Sequence, residues 1–302
     1  MKKNSVKSIL ILFMTALIWG FGFVWQVKCT MNSVWFTGLR FIIGGTSLIP
    51  VILLFEKGKP DRRTWIRTIK WGVLAGFVLC MASALQMIGI SMNHSSGKSG
   101  FITGIYMVLV PFAGAIIFRR RLKWNAIAGA FAALAGLFLI SFSNGLEKLD
   151  MGDLVVLAGA VFWTFHILTL DSVPQDIPAI RLSMVQFYTT GVLASVWGLC
   201  AAGITAIAPD ILAENFMSLF FCGVLSSGVA FTGQVIGQRG CEAGLASIIM
   251  CTESVFAAIG GALLLNEHLG WKGYLGCALV FAGIIIVQLK PKKSANTDLK
   301  EY

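Results

Sequence analysis

Glu253 is the one acidic side chain set deep within a long apolar run of this chain. A carboxyl among apolar groups favours its neutral form, so it suits carrying a proton or binding the cationic part of a solute. It also suits a structural ion pair with Arg40, the one basic residue well inside such a run. Arg40 lies six residues from the end of its run, ~9 Å at 1.5 Å per residue. It is read as a structural charge, paired or snorkelling, with carboxylate binding as its other use. His166, alone of three histidines, sits mid-run. An ordinary pKa of about 6.5 makes it a proton switch; a plain hydrogen bond between helices accounts for it equally well.

Other polar side chains recur at helical spacing. Ser99, Thr103 and Tyr106 form one stripe, and Ser83, Gln86 and Asn93 form another. Gln234 and Gln238 are four apart, Trp19 and Gln26 seven, and Trp163 and His166 three. Polar groups inside apolar helices face a cavity or one another. The candidate solute-binding residues are therefore Trp19, Gln26, Gln86, Asn93, Thr103, Tyr106, Trp163, His166, Gln234, Gln238 and Glu253. Glu253 and His166 are the candidates for proton coupling. Tryptophan and tyrosine also gather at membrane interfaces, the role read for Trp35, Trp65, Trp71, Trp124 and Trp271.

Gly97-Lys98-Ser99 resembles the end of a phosphate-binding P-loop. That loop needs a glycine five residues earlier, where Met92 stands, and a preceding strand. Ser95 and Ser96 instead suit a helix cap, and Gly97, Gly100 and Gly104 suit close helix packing. No nucleophile, acid pair or metal cluster marks an enzyme. The seven cysteines are scattered without a C-x-x-C pair, so neither disulfide nor metal is expected. No cofactor is implied.

These residues are positioned by apolar runs. Hydrophobic residues make up 57% of the chain and charged ones 13%, against roughly 25% charged in soluble domains. Ten runs are long enough to cross a hydrocarbon core of ~30 Å: 8–27, 34–55, 68–91, 97–118, 123–143, 152–171, 181–204, 215–236, 243–265 and 270–289. The longest connection is expected near Glu56–Arg67. The first run leads into "WGFGFVWQVK" without a small-x-small site, so it is read as a retained helix rather than a cleaved signal. Placed on alternate sides, the connections and tails collect nineteen of 24 lysines and arginines on the side of the N-terminus, among them Lys57, Lys59, Arg120 and Arg121. Lys148 is one of four on the other. This asymmetry sets both termini in the cytoplasm and explains the +10 net charge without nucleic acid.

The chain repeats itself. Trp19 aligns with Trp163, Phe41 with Phe187, Gln86 with Gln234, and Gly129 and Gly136 with Gly276 and Gly283, at offsets between 144 and 148. Tyr106 then matches Glu253. Five runs per half is an odd number, so the halves, 1–146 and 147–290 with a cytoplasmic tail at 291–302, enter the membrane upside down relative to each other. The expected fold is all-α integral membrane: ten transmembrane helices as two inverted five-helix repeats, a design suited to alternating access around a midplane site. "AIAGAFAALAGLFLI" and "GYLGCALVFAGIIIV" in the fifth and tenth runs carry small residues and no polar stripe, and read as packing or homodimer faces.

"ALIWGFGFVW", "LRFIIGG", "SGKSGFITGIYMVLVP" and "ESVFAAIGGALLLNEHLGWKGYLGCALVFAGI" together resemble, over essentially the whole chain, a ten-helix member of the drug/metabolite transporter superfamily with two EamA-type halves. The resemblance implies a plasma-membrane exporter of small metabolites, amino acids or drugs. It further implies a central cavity gated by the third, fourth, eighth and ninth helices. Glu267 matches the family's acidic residue ending the ninth helix, but Arg120 takes the matching place in the first half. Ser254 replaces the proline that often follows the glutamate. A flippase for a lipid carrier or amphiphile is the alternative. The partners expected are a small-molecule solute and the lipid bilayer.

Overall fold

A computed structural model describes residues 5–56, 58, 60–93, 96–119, 122–142, 150–264 and 270–289. Lys57, Lys59, Ser95, Arg120, Arg121, Lys148, Glu267 and the 291–302 tail lie outside the described residues. Within them there are helices and no strands, and ten helices are long and apolar enough to cross a membrane. These are α1 (Val6–Val27), α2 (Ser33–Phe55), α3 (Arg62–Met92), α4 (Ser99–Phe118) and α5 (Trp124–Ser141) in the first half. The second half holds α6 (Met151–Ser172), α7 (Ala179–Ala202), α8 (Phe216–Arg239), α9 (Ala243–Leu264) and α10 (Trp271–Gln288).

Polar caps set several boundaries. Asn32 accepts hydrogen bonds from the amides of Val34 (3.1 Å) and Trp35 (3.2 Å) at the start of α2. Asp150 and Asp153 form a reciprocal capping box before α6. Asp61 accepts from the Thr64 amide at 3.3 Å, and these local bonds hold its carboxyl below the usual aspartate range. With that cap, α3 begins at Arg62 and carries Arg62, Arg63, Arg67 and Lys70 on its first turns. The α2–α3 connection is therefore shorter than its sequence suggests. Among the described residues the longest connection is α7–α8, which holds a 3₁₀ turn at Ile204–Ile207 and a short helix at Pro209–Glu214.

The ends of the helices sort into two faces. On the basic face, Glu56 pairs with Arg181, Arg67 with Asp176, and Lys123 with Glu242 at 2.8 Å. The same face ties the Ser5 amide to the Gly240 carbonyl. Arg67 keeps the Asp176 carboxyl below its ordinary range. On the opposite face the Thr30 amide donates to Asn215 Oδ1, whose Nδ2 donates back to Thr30 Oγ1, both at 2.9 Å. Trp35 Nε1 donates there to the Gly203 carbonyl at 2.9 Å. The N-terminal ends of α1 and α6 thus lie on opposite faces, and the two halves are inverted copies.

Residues matched by the repeat touch each other across the molecule. Trp19 meets Trp163 with ring centroids 6.5 Å apart, and Phe41 meets Phe187 at 5.8 Å. A Cβ placed on Gly104 would lie 3.3 Å from Sγ of its equivalent, Cys251. Equivalent residues meet only near a two-fold axis, so the pseudo-axis runs through the aromatic centre of the bundle.

The halves are also interleaved. The first helix of each half packs on the third and fourth of the other: α1 on α8 and α9, α6 on α3 and α4. α2 pairs with α7 and α5 with α10. The small residues of the fifth and tenth runs serve that last pairing. A Cβ on Gly136 would stand 2.5 Å from the Gly276 carbonyl oxygen, and one on Gly129 2.6 Å from that of Gly283. Backbones this close leave room only for glycine, and both glycine faces are filled from within the same chain.

Candidate functional site

Three helices depart from α geometry near the bundle centre. α4 tightens where the Ile105 amide donates to Ile102 O at 3.2 Å, and α9 where the Thr252 amide donates to Ile249 O at 3.1 Å. At an offset of 147 these are the same i→i−3 bond in the two halves. Each precedes by one residue the side chain that faces inward, Tyr106 in one half and Glu253 in the other. Tight turns inside long helices mark hinges, and interrupted helices at mid-membrane mark solute sites. In α8, Phe221–Ala230 winds in wide π turns, another irregularity frequent at functional sites.

The interrupted helices border a narrow cavity at the bundle centre. Of the sequence candidates, Trp19, Gln26, Gln86, Thr103, Tyr106, Trp163, Gln234 and Glu253 line it, together with Arg40. Gln86 Nε2 donates to Thr103 Oγ1 at 3.1 Å, which fixes one polar edge. Trp19 Nε1 donates to the Ser226 carbonyl at 3.4 Å. Trp163 lies nearly parallel to Phe231, 11° between planes at 5.7 Å, and Trp19 meets Phe231 at 4.6 Å. Among the described residues, Trp163 Nε1, Gln26 Oε1 and Gln234 Oε1 are buried without a partner, and such polar atoms are costly unless a solute or water meets them.

Two candidates, His166 and Gln238, do not line the cavity. His166 is fully buried behind its wall, with Nε2 3.2 Å from Gln186 Oε1 and its ring edge-on to Trp163 and Phe231. Gln238, one turn beyond Gln234, is buried toward the basic face. Asn93 follows the last residue of α3, and its side chain lies outside what is described.

The pairing of Arg40 with Glu253 is not formed. Among the described residues neither has an ion-pair partner. Arg40 is 2% exposed, and its Nε has no hydrogen-bond partner among the described residues. Its guanidinium sits 4.9 Å from the Phe41 ring centroid and 5.8 Å from that of Phe36. Such contacts return ~0.5–2 kcal/mol, less than the ~3–5 kcal/mol that an uncompensated buried charge typically costs.

Phe23, Ile167, Ser226, Phe231 and Met250 also line the cavity and went unrecognised in the sequence. Helical spacing carries a signal for four of them. Phe23 and Ile167 stand four residues after Trp19 and Trp163, and Phe231 and Met250 three before Gln234 and Glu253. Among the described residues no cluster of His, Cys, Asp and Glu is arranged to hold a metal.

Two interleaved, inverted halves around a buried polar cavity define the class: a multi-pass membrane protein built as a pseudo-symmetric pair of five-helix repeats. The EamA-like transporter family matches residues 6–142 and again 150–289, and the chain belongs to that family. It is similar to an uncharacterized transporter of Archaeoglobus fulgidus, 25% identical over 92% of this chain and 85% of that protein. It is also similar to the uncharacterized transporter YwfM of Bacillus subtilis, 20% identical over 98% of each. A solved crystal structure shares the fold with a TM-score of 0.76 at 19% identity, over 95% of this chain and 99% of that one.

Proposed function

We propose that this chain is a secondary active exporter that moves a small metabolite or drug across the plasma membrane by alternating access. The observation that carries the reading is the repeated i→i−3 bond at Ile105 and Thr252, immediately before Tyr106 and Glu253. Matched flexures beside the inward-facing residues of both halves let either half take the conformation of the other. The cavity then opens to one face or the other. The excess of lysine and arginine on one face supports placing that face, and both termini, in the cytoplasm. The sequence holds no complete P-loop, so the energy comes from an ion or solute gradient. Glu253 is the group that takes the coupling proton or the cationic part of the solute.

The test is Glu253→Gln, which keeps the shape and removes the charge. In proteoliposomes the variant should fold with an unchanged melting profile while solute flux is lost or no longer responds to a pH gradient. Flux that keeps its full pH dependence in the variant rejects the assignment. A lipid-translocation assay run on the same vesicles tests the flippase alternative directly.

A further inference from the structure

We infer that the start of α3 is a binding site for an anionic phospholipid, with Arg62, Arg63 and Lys70 holding its phosphate and Val73, Leu74 and Phe77 its acyl chain. α3 is the longest of the membrane helices described, 31 residues against at most 24 in the others. At ~1.5 Å per residue it measures ~46 Å, and a hydrocarbon core is ~30 Å thick. Even at ~40° of tilt, the upper end of the usual range, it would cover ~35 Å of depth. The stretch 71–92 carries no charge and spans ~33 Å by itself. The surplus is therefore residues 62–70, which stand at head-group depth.

One exposed face of the helix runs across that boundary. Arg62, Arg63 and Lys70 are exposed, and so are Val73, Leu74 and Phe77 beyond them. At ~100° per residue all six, with Ile66 and Ile69 between them, fall within an arc of ~140°. The opposite side is packed. Thr68, Ala75 and Leu79 are fully buried, and a Cβ on Gly76 would lie 2.6 Å from the Gln186 carbonyl oxygen of α7.

The three cations are also unspent. Arg67, Lys123 and Arg181 each pair with an acid of their own chain, and Arg239 donates to the Ile177 carbonyl. Arg62, Arg63 and Lys70 have no such partner among the described residues, and Asp61, their neighbour in sequence, caps the helix. A guanidinium matches phosphate oxygens at two points, and a lysine adds a point charge on a stem that lies along apolar surface. A phospholipid is the anion that places phosphate at head-group depth and hydrocarbon directly beneath it, where Val73, Leu74 and Phe77 continue the same stripe.

Binding to the full-length protein in a neutral detergent tests the inference, with phosphatidylglycerol and phosphatidylcholine titrated separately. Ligand-induced thermal shift gives the apparent affinities. Phosphatidylglycerol should bind at least about tenfold tighter, since one basic side chain near anionic lipid is worth about fivefold. High salt should weaken that preference. The triple variant Arg62→Gln, Arg63→Gln, Lys70→Gln should lose it. The control triple Lys7→Gln, Lys28→Gln, Lys272→Gln removes the same net charge elsewhere and should keep it.

Equal affinity for the two lipids on the unaltered protein overturns the inference. So does a preference that survives the triple substitution, or one lost equally in the control, which reduces the attraction to net charge alone. Glycerol phosphate at the same concentrations should produce no shift; one as large as the lipid's means an anion site without a lipid and overturns the inference too. If the triple variant does not fold, Lys70→Gln alone should cost about fivefold in phosphatidylglycerol affinity, and no change there is equally fatal. Solute flux is not a readout of this site, which stands or falls apart from the transport proposed above.

Discussion

Gly20 is where α1 meets the Glu253 turn of α9, and replacing it by alanine should disturb both stability and the proposed transport. A Cβ at this position would stand 2.3 Å from Cβ of Phe256, 2.6 Å from the Glu253 carbonyl oxygen and 2.8 Å from the Ala257 amide nitrogen. Ordinary van der Waals separations begin at 3.4 Å, so α1 must retreat by roughly 1 Å. Two of the three atoms are backbone and cannot turn aside. Overpacking of this kind costs ~1–3 kcal/mol, partly offset by the ~1 kcal/mol that alanine gains over glycine in a helix. Gly100→Ala is the control, because a Cβ there meets nothing within 4 Å and only the propensity gain remains. Thermal unfolding of the two purified variants isolates the clash. Gly20→Ala should melt several degrees below Gly100→Ala, at ~2–4 °C per kcal/mol for chains of comparable length. Trp19 rides on the same turn, so vesicle flux should fall in Gly20→Ala alone. Identical melting and identical flux in the two variants would refute the close approach of α1 to Glu253.

Two further outcomes are expected. Phe231→Ala removes the ring that joins Trp19, Trp163, Phe41 and Phe187. It should cost ~3–5 kcal/mol, read as a lower melting temperature with altered tryptophan fluorescence, while Phe231→Leu costs less. Single cysteines at Thr30 and Gln175, in a chain freed of its seven cysteines, should react with impermeant thiol reagents from opposite sides of a sealed vesicle. Labelling of both from one side would refute the inverted topology.

The membrane helices were legible because hydropathy over a bilayer's width is a strong and local signal. Their ends fell within a few residues of the expected runs, except at α3, where the Asp61 cap carries the helix out to Arg62. The matching of Trp19 with Trp163 and of Phe41 with Phe187 was legible as well, through the repeat offset. What resisted reading depends on neighbours distant in sequence. The tight turns at Ile105 and Thr252 have no proline at the bend; the proline of α4, Pro111, lies six residues further on. His166 shares a helix face with Trp163, but whether that face meets a cavity or Gln186 is decided by α7. That Arg40 has no ion pair among the described residues is likewise a fact about packing, since the sequence left a pairing with Glu253 open.

The pairing of equivalent residues across the axis also bears on directionality. Exchanging the shapes of the two halves produces a second arrangement with nearly the same internal energy, because whatever packing one copy gives up the other copy takes on. Such a scaffold supplies little bias of its own toward either orientation of its opening. What bias exists must come from places where the copies differ, above all an acid at 253 opposite a phenol at 106 and the wide turns of α8. On the transport function proposed above, net flow follows the solute and ion concentrations on the two sides, and reversing those concentrations should reverse it.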